Sequence, residues 1–498
     1  MGMVLNTNIG SIQAQRALTE SRADMEKAME RLSTGLRINS AADDAAGLAI
    51  VERMNTQIRG LTMATKNAND GIALIKTVEN ALVEVSGMLQ RMRELSVQAS
   101  NDTNTATERA FANNEISQLQ LEISRVSLNT RYNGAQVLNG SFAAKTLQVG
   151  TESGETISFS IDTVEAATLG AFVLTSQGIA AQQDGTGGGG TPVDGISYAQ
   201  DIIITAGDNA RTVLVDADDS ARTIAKRINA VAGATQVTAE GRTFALLSST
   251  DTSGASTAKI KINGTETAAF AISTSDVADA VLKINAISQT TGVQASATDD
   301  YKVLLTDKWG DTIKIQNTAG AARNGDLVVQ AVANDGTSNS GSAVTMTQSG
   351  DNSSATVLGT LRLTSSSEFS VNLADANTDN TEWFLDADTP ATLKTVGEVD
   401  VRSRIKASDA IAVIDGAIQK ISGMRGGLGT LQNRLDYTVS NLMKVTEYTT
   451  GARSRIQDAD FAAETARLAK AQVLQQAGAA MLSQANASTD VILQIIRG

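Results

Sequence analysis

The sequence predicts an α+β protein: a long α-helical coiled-coil or bundle core built from both chain ends, with a β-rich outer region inserted between them. Three observations carry this. Both ends lack Pro and place Leu, Ile, Met, Val and Ala at helical spacing. From about Lys145 to Val399 the composition shifts to Ser, Thr, Gly and Asp, with both Pro and both Trp. The two ends also share a seven-residue apolar period, so each seam is a natural partner for the other, and the middle reads as an insertion in a loop.

The N-terminal part carries Leu18, Met25 and Leu32 along a first helix. A second helix bears the column Leu74, Ala81, Met88, Leu95, flanked by Ile75, Leu82, Leu89 and by Val78, Val85, Met92, Ala99. A turn at Asn101–Asn104 leads to a third helix with Ala112, Ile116, Leu119, Ile123 and Val126. Asn133-Gly134 and Asn139-Gly140 then punctuate the chain as turns.

In the middle part, alternating runs such as Thr156–Ile161 read as half-buried strands. Asp184–Gly190 reads as a linker or loop tip; no Gly-Lys-Ser/Thr follows, so it is not a phosphate loop. An internal repeat lies beyond it. Lys226–Val231 with Val237-Thr238-Ala239 is matched by Leu282–Ile287 with Val293-Gln294-Ala295, at one 56-residue offset. Each copy reads as a β-hairpin, a short helix and a strand. Asp375, Asn377, Asp379 and Asp386 fall at calcium-loop spacing, but Asn380 stands where the turn needs Gly and Asp386 where a bidentate Glu belongs. An acidic surface loop is the expectation there.

The C-terminal part returns to helix. Ile414, Ile421, Leu428, Leu435 and Leu442 form one column, with Ala417, Met424, Leu431, Thr438 and Val445 beside it. A loop is expected around Thr449-Thr450-Gly451, then a last helix capped by Asp458 or Asp460 and bearing Leu474, Met481, Ala485, Ile492 and Ile495. The terminal helices are Ala-rich and aromatic-poor. Such a pair is marginal alone and stabilised by packing of many copies, which points to a self-assembling fibre.

Composition narrows the function classes. The 498 residues include no Cys and no His, which removes disulfides, thiolate nucleophiles, zinc ribbons and His-based acid–base chemistry. A net charge of −13 with 3% aromatics argues against nucleic acid as a partner. No apolar run is long enough for membrane insertion, and the start has neither the basic nor the apolar region of a signal peptide. No catalytic, cofactor or metal site is expected.

Several long stretches carry a resemblance. Leu32–Ala49 (LSTGLRINSAADDAAGLA), Asn6-Thr7-Asn8, Gln90–Gln98, Gln432-Asn433-Arg434, Ala452–Ala462 and Ala471–Gly478 together resemble bacterial flagellin over about half the chain. The resemblance implies a secreted, extracellular subunit that leaves through the flagellar type III apparatus and polymerises into the filament used for swimming. It implies inner-core terminal helices at 1–40 and 455–498, an outer-core helical bundle with a β-hairpin at 41–170 and 400–454, and a variable surface insert at 171–399. It implies as partners the chain itself, a secretion chaperone at the C-terminal helix, hook-associated and cap proteins, and an animal Toll-like receptor. On that carry-over Gln90, Arg91, Glu94 and Leu95, with Glu115 on the adjoining helix, form a subunit and receptor contact patch. Read from the residues alone, Arg91, Arg93 and Glu94 are a solvated helix face. Two alternatives remain: a hook–filament junction protein, which shares the helical ends, and a subunit with an enzymatic insert. A His-Glu-x-x-His metallopeptidase insert is impossible in a chain without His.

Overall fold

The computed structural model describes residues 7–183, 201–252, 257–318, 326–347, 353–373 and 389–497, with side chains described as far as 487. Eight helices lie in the described residues: α1 (Ile9–Thr34), α2 (Ala45–Ala99), α3 (Ala106–Asn129), α4 (Ala221–Thr235), α5 (Ala278–Asn285), α6 (Ser288–Thr291), α7 (Arg404–Gln457) and α8 (Phe461–Arg497). Long helices thus occupy both ends and strands fill the middle, as the composition predicts. The acidic loop at 375–386 and the Gly-rich stretch 184–190 lie outside the described residues, as do the side chains of Ile492 and Ile495.

The chain divides into two compact units. One comprises 1–76, 144–159 and 429–498; the other comprises 77–143 and 160–428. The boundaries fall inside α2 and α7.

In the first unit α1 and α8 form an antiparallel pair, and the first part of α2 lies against the last part of α7. Leu442 packs on Leu61 and Ala64. Leu435, fully buried, approaches Gly71, where a Cβ would stand 3.4 Å from its Cδ1 and 2.4 Å from that of Leu147. Arg453 donates to Asn55 at 2.8 Å. The hairpin Lys145–Gln148 with Thr156–Phe159 belongs to this unit and receives the Asn67 side chain on the Gln148 carbonyl.

α7 runs unbroken through Thr449, Thr450 and Gly451; the break falls at Asp458–Asp460 instead of the expected loop. A Cβ at Gly451 would meet nothing, so the glycine marks no close approach. Asp460 caps α8 by accepting the amides of Ala462 and Ala463.

In the second unit, Leu82, Val85, Leu89 and Met92 of α2 and Ile414 and Ile421 of α7 are fully buried, and Leu428 is buried. Ion pairs Arg425–Glu79 (2.7 Å) and Arg93–Asp415 (2.6 Å) set an antiparallel register. That register places Ile421 opposite Val85 and Ile414 opposite Met92. Thr105 and Glu108 close a capping box at the start of α3, directly after the Asn101–Asn104 turn.

The repeats are structurally equivalent. Asn229, in the second half of α4, exchanges two hydrogen bonds with the backbone of Ala239, both 2.8 Å; Asn285, at the end of α5, does the same with Ala295, again at 2.8 Å. Thr235 and Thr291 each cap the following Val amide, and Gln236 and Gly292 each take the left-handed conformation. The repeats do not form separate sheets. Strand Thr238–Ser249 pairs at its start with Thr360–Ser365, at its end with Leu327–Val332, and along its other edge with Val303–Asp307. One core gathers around α4 with Ala239, Leu361 and Leu363; the other gathers around α5 with Ala245, Leu247 and Leu305. A single long strand therefore serves both.

Strand Gly170–Thr175 rests against α7 at a point that only glycine allows. A Cβ at Gly416 would lie 2.6 Å from the Ala171 Cβ, and one at Gly170 would lie 1.9 Å from the Lys394 carbonyl. Elsewhere in α7 the glycines are unconstrained: a Cβ at Gly423 or Gly427 would meet nothing within 4 Å. Since Gly costs helix stability through backbone entropy, Gly423→Ala and Gly427→Ala are each expected to stabilise the monomer by about 0.5–1 kcal/mol. Thermal unfolding of the monomer checks this, and an unchanged or lowered midpoint contradicts it.

Candidate assembly surfaces

In the first unit, residues 35–44 and 456–460 form a joint. Leu36 and Asp458 form an isolated antiparallel β-bridge; the Arg37 amide donates to the Gln457 carbonyl (2.6 Å), and the Ala459 amide to that of Gly35 (2.9 Å). Gly35 ends α1 with φ near 72°, a left-handed cap that suits glycine. Asp44 caps α2 by accepting the Gly47 amide at 2.9 Å, and a Cβ on Gly47 would strike that carboxylate. The run Leu32–Ala49 is thus a clasp that joins the end of α1 to the start of α2 and to the α7–α8 break.

Asp43 is the electrostatic centre of that clasp. Its carboxylate takes Lys27 Nζ at 3.1 Å, the amides of Ser40 and Asn39, and the Ser40 hydroxyl. The Lys27 ammonium, then the two amides, hold its pKa at about 2. A carboxyl lowered on folding contributes stability above its ordinary value near about 3.9, and that contribution is lost as pH falls toward 2. The melting-temperature gap between wild type and Asp43→Asn should therefore be open at pH 7 and close between pH 4 and pH 2. A gap constant across that window contradicts the clasp.

α1 and α8 meet through small and polar groups. Asn8 donates to the Ala485 carbonyl (3.0 Å), Ser11 to Asn486 (2.9 Å), and Arg31 to the buried Glu464 (3.1 Å). Gly478 lies against Leu18. Leu18, Met25 and Leu32 are half-buried, whereas Leu474 and Met481 are exposed. Ile9, Ile12, Met29, Phe461 and Val473 are exposed as well. This pair therefore presents most of its large apolar side chains outward, leaving Ala28 and Ala471 inside.

In the second unit, Arg91 reaches across from α2 to α3. Its Nε donates to Glu115 at 2.8 Å and its Nη1 to Glu94 at 3.0 Å. These partners, Glu115 first, raise the guanidinium pKa above its ordinary value. Gln90 is exposed beside them. Leu95, expected in the same patch, is not on it: at 3% exposure it faces the interior, one helical turn from Met92. Its place in the apolar column Leu74–Leu95 outweighs its place in the motif. Sequence reasoning missed the exposed Val97, Phe111, Leu121 and Leu128. The signal was present, since Phe111 and Leu121 fall outside the Ala112–Val126 stripe.

Among the described residues no group of carboxylates is arranged to hold a metal, and no helix is long and apolar enough to cross a membrane.

Residues 5–143 match the bacterial flagellin N-terminal helical region, and residues 411–496 match the C-terminal helical region of the same family. B-type flagellin of Pseudomonas aeruginosa is 36% identical with all of each chain covered. The chain belongs to the bacterial flagellin family. A flagellin of Salmonella rubislaw is 34% identical and Flagellin B of Vibrio cholerae 30%, both again with full coverage of each chain. Among solved structures, FliC from Burkholderia pseudomallei is similar at 18% identity over 73% of this chain and 99% of that one, with a TM-score of 0.30. Flagellins are structural proteins, and this flagellin is a structural subunit of the flagellar filament.

Proposed function

We propose that this flagellin polymerises through its terminal helix pair, which serves as the inner core at 1–40 and 455–498. The observation that carries this is the outward row of Ile9, Ile12, Val473, Leu474 and Met481 on helices that bury little between themselves. A second copy removes that surface from water, at roughly 25 cal/mol per Å² of apolar area. Residues 41–170 and 400–454 form the outer core, and 171–399 are displayed on the outside. The likeness to flagellins extends over the whole chain, which favours the bulk subunit over a junction protein. Export through the flagellar apparatus, a chaperone on α8, and docking to hook-associated and cap proteins follow from that reading. Salting-out of purified monomer, viewed by negative stain, tests it: repeating filaments are expected, and a soluble monomer at every concentration overturns it.

The patch of Gln90, Arg91, Glu94 and Glu115 we assign to contact with a neighbouring subunit and with a host Toll-like receptor. Its support is a charged group fixed across two helices and open to solvent. Because Arg91 already serves two carboxylates, the receptor gains only its remaining donors, and exposure weakens the pair further. Arg91→Ala is expected to lower receptor signalling by purified monomer about tenfold, with unchanged helicity by circular dichroism. Equal potency of wild type, Arg91→Ala and Glu115→Ala removes the receptor contact.

A further inference from the structure

The second repeat ends in a turn, Asp307–Asp311, that holds a tryptophan over a cleft of about 510 Å³ in the second unit. Arg222 and Lys226 of α4, Glu240, Lys308 and Trp309 of the turn, and Arg404 at the start of α7 contribute to its lining. The volume lies in the range of small-molecule sites.

The turn is fixed. The buried Asp307 carboxylate accepts the amides of Trp309 (2.8 Å) and Asp311 (3.2 Å). The Gly310 carbonyl accepts the Arg222 amide, and the Asp311 carbonyl accepts the Thr243 hydroxyl at 2.7 Å. Gly310 has φ near 80°, and a Cβ there would lie 2.6 Å from the Gly241 backbone. Yet Trp309 itself is 64% exposed. The Arg222 guanidinium covers its ring at 5.6 Å from the centroid. A rigid backbone thus displays a large indole that the fold does not use for packing.

The charges around it are partly committed. Arg222 pairs with Asp311, Arg242 with Asp409 and Glu240, and Arg404 with Asp102. Among the described residues, Lys226 and Lys308 have no such partner. A phosphate ligand would want an uncommitted guanidinium fork, and a polyanion would be repelled by the net charge of −13. What fits two ammonium groups beside a preorganised indole and the spare lone pairs of Glu240 is a ring with an apolar C–H face, several hydroxyls and one negative charge.

We propose that this cleft binds a short glycan ending in a carboxylated sugar of the sialic or uronic acid type. The C–H face of the sugar stacks on Trp309, its carboxylate meets Lys226 and Lys308, and its hydroxyls donate to Glu240. The site stands independently of the polymerisation reading, since all its residues belong to one unit of the monomer.

The test uses full-length monomer carrying Trp383→Phe, which leaves Trp309 as the sole indole. Titration with 3′-sialyllactose is expected to give a saturable change in Trp309 emission. Calorimetry on Trp309→Ala, and on Lys226→Glu with Lys308→Glu, is expected to show at least about tenfold weaker binding, with circular dichroism unchanged. Lactose binding as tightly as sialyllactose overturns the carboxylate's role, and inorganic phosphate binding as tightly overturns the sugar. No saturable binding to the parent protein, or undiminished binding to the variants, overturns the site.

Discussion

Leu435→Asp is expected to leave no stably folded subunit. Leu435 is fully buried on α7, against Gly71 of α2 and near Leu147 of the adjoining hairpin. Absence of a Cβ at Gly71 lets the Leu147 side chain seat there at 2.4 Å from where that Cβ would stand, beside the Leu435 Cδ1, so the site is filled by apolar side chains. An unpaired carboxylate in such a place costs about 3–5 kcal/mol, added to the loss of about 2–5 kcal/mol from the missing leucine contacts. A domain holds only about 5–15 kcal/mol in all. The adjacent Asp436 is exposed and tolerated, so the chain itself shows that one helical step, about 100°, separates acceptance from collapse. Leu435→Met preserves volume and should cost under about 1.5 kcal/mol. Thermal unfolding of the two purified variants checks the pair. A cooperative melt of Leu435→Asp near the wild-type temperature contradicts the burial.

The seam residues were readable because a helix repeats the same face, and a single face must find another to bury it. Leu82, Leu89, Met92, Ile414, Ile421, Leu428, Leu435 and Leu442 are all buried for that reason. The repeat was readable as matching letters, but not why asparagine recurs in it. The answer is geometric: Asn229 and Asn285 each satisfy both backbone groups of an alanine on the following strand, which no other side chain of that length does with donor and acceptor together.

Other features were hidden. Thr449-Thr450-Gly451 has poor helix propensity, yet nearby contacts such as Arg453 to Asn55 hold α7 through it. The true break is fixed by Asp458 pairing with Leu36, a partner more than 400 residues away in sequence. Leu95 was assigned to the surface patch by motif and to the interior by period; the period decides, because burial is set by helix phase. The Trp309 cleft draws on α4, a turn 80 residues later and the start of α7, so no local pattern announces it.

Removal of about the last 30 residues, from Ala469 onward, is expected to abolish polymerisation while leaving a folded monomer. The deletion takes away the Ala485 and Asn486 groups that hold Asn8 and Ser11, and the Gly478 surface that receives Leu18. The N-terminal helix, 26 residues long, then loses the partner against which Leu18 packs, and most helical stability in proteins comes from such tertiary packing. Far-UV circular dichroism should accordingly lose more helix than the deleted residues contained. The Asp43 clasp and the Arg31–Glu464 pair survive the cut, and the α2 and α7 seams are untouched, so a cooperative melt should remain. A full-length control separates assembly from folding. Leu474 and Met481 are 49% and 66% exposed in the monomer, so Leu474→Asp with Met481→Asp should shift monomer stability by no more than about 0.5 kcal/mol per site. Each carboxylate, however, enters the surface that a second copy must cover, and burying it unpaired there costs about 3–5 kcal/mol. The critical concentration for polymerisation, measured by pelleting after salting-out, should rise by at least about a hundredfold. Filaments of normal yield from either variant would mean that subunits join elsewhere, and the exposed Phe111 and Leu121 of α3 would become the first surface to test.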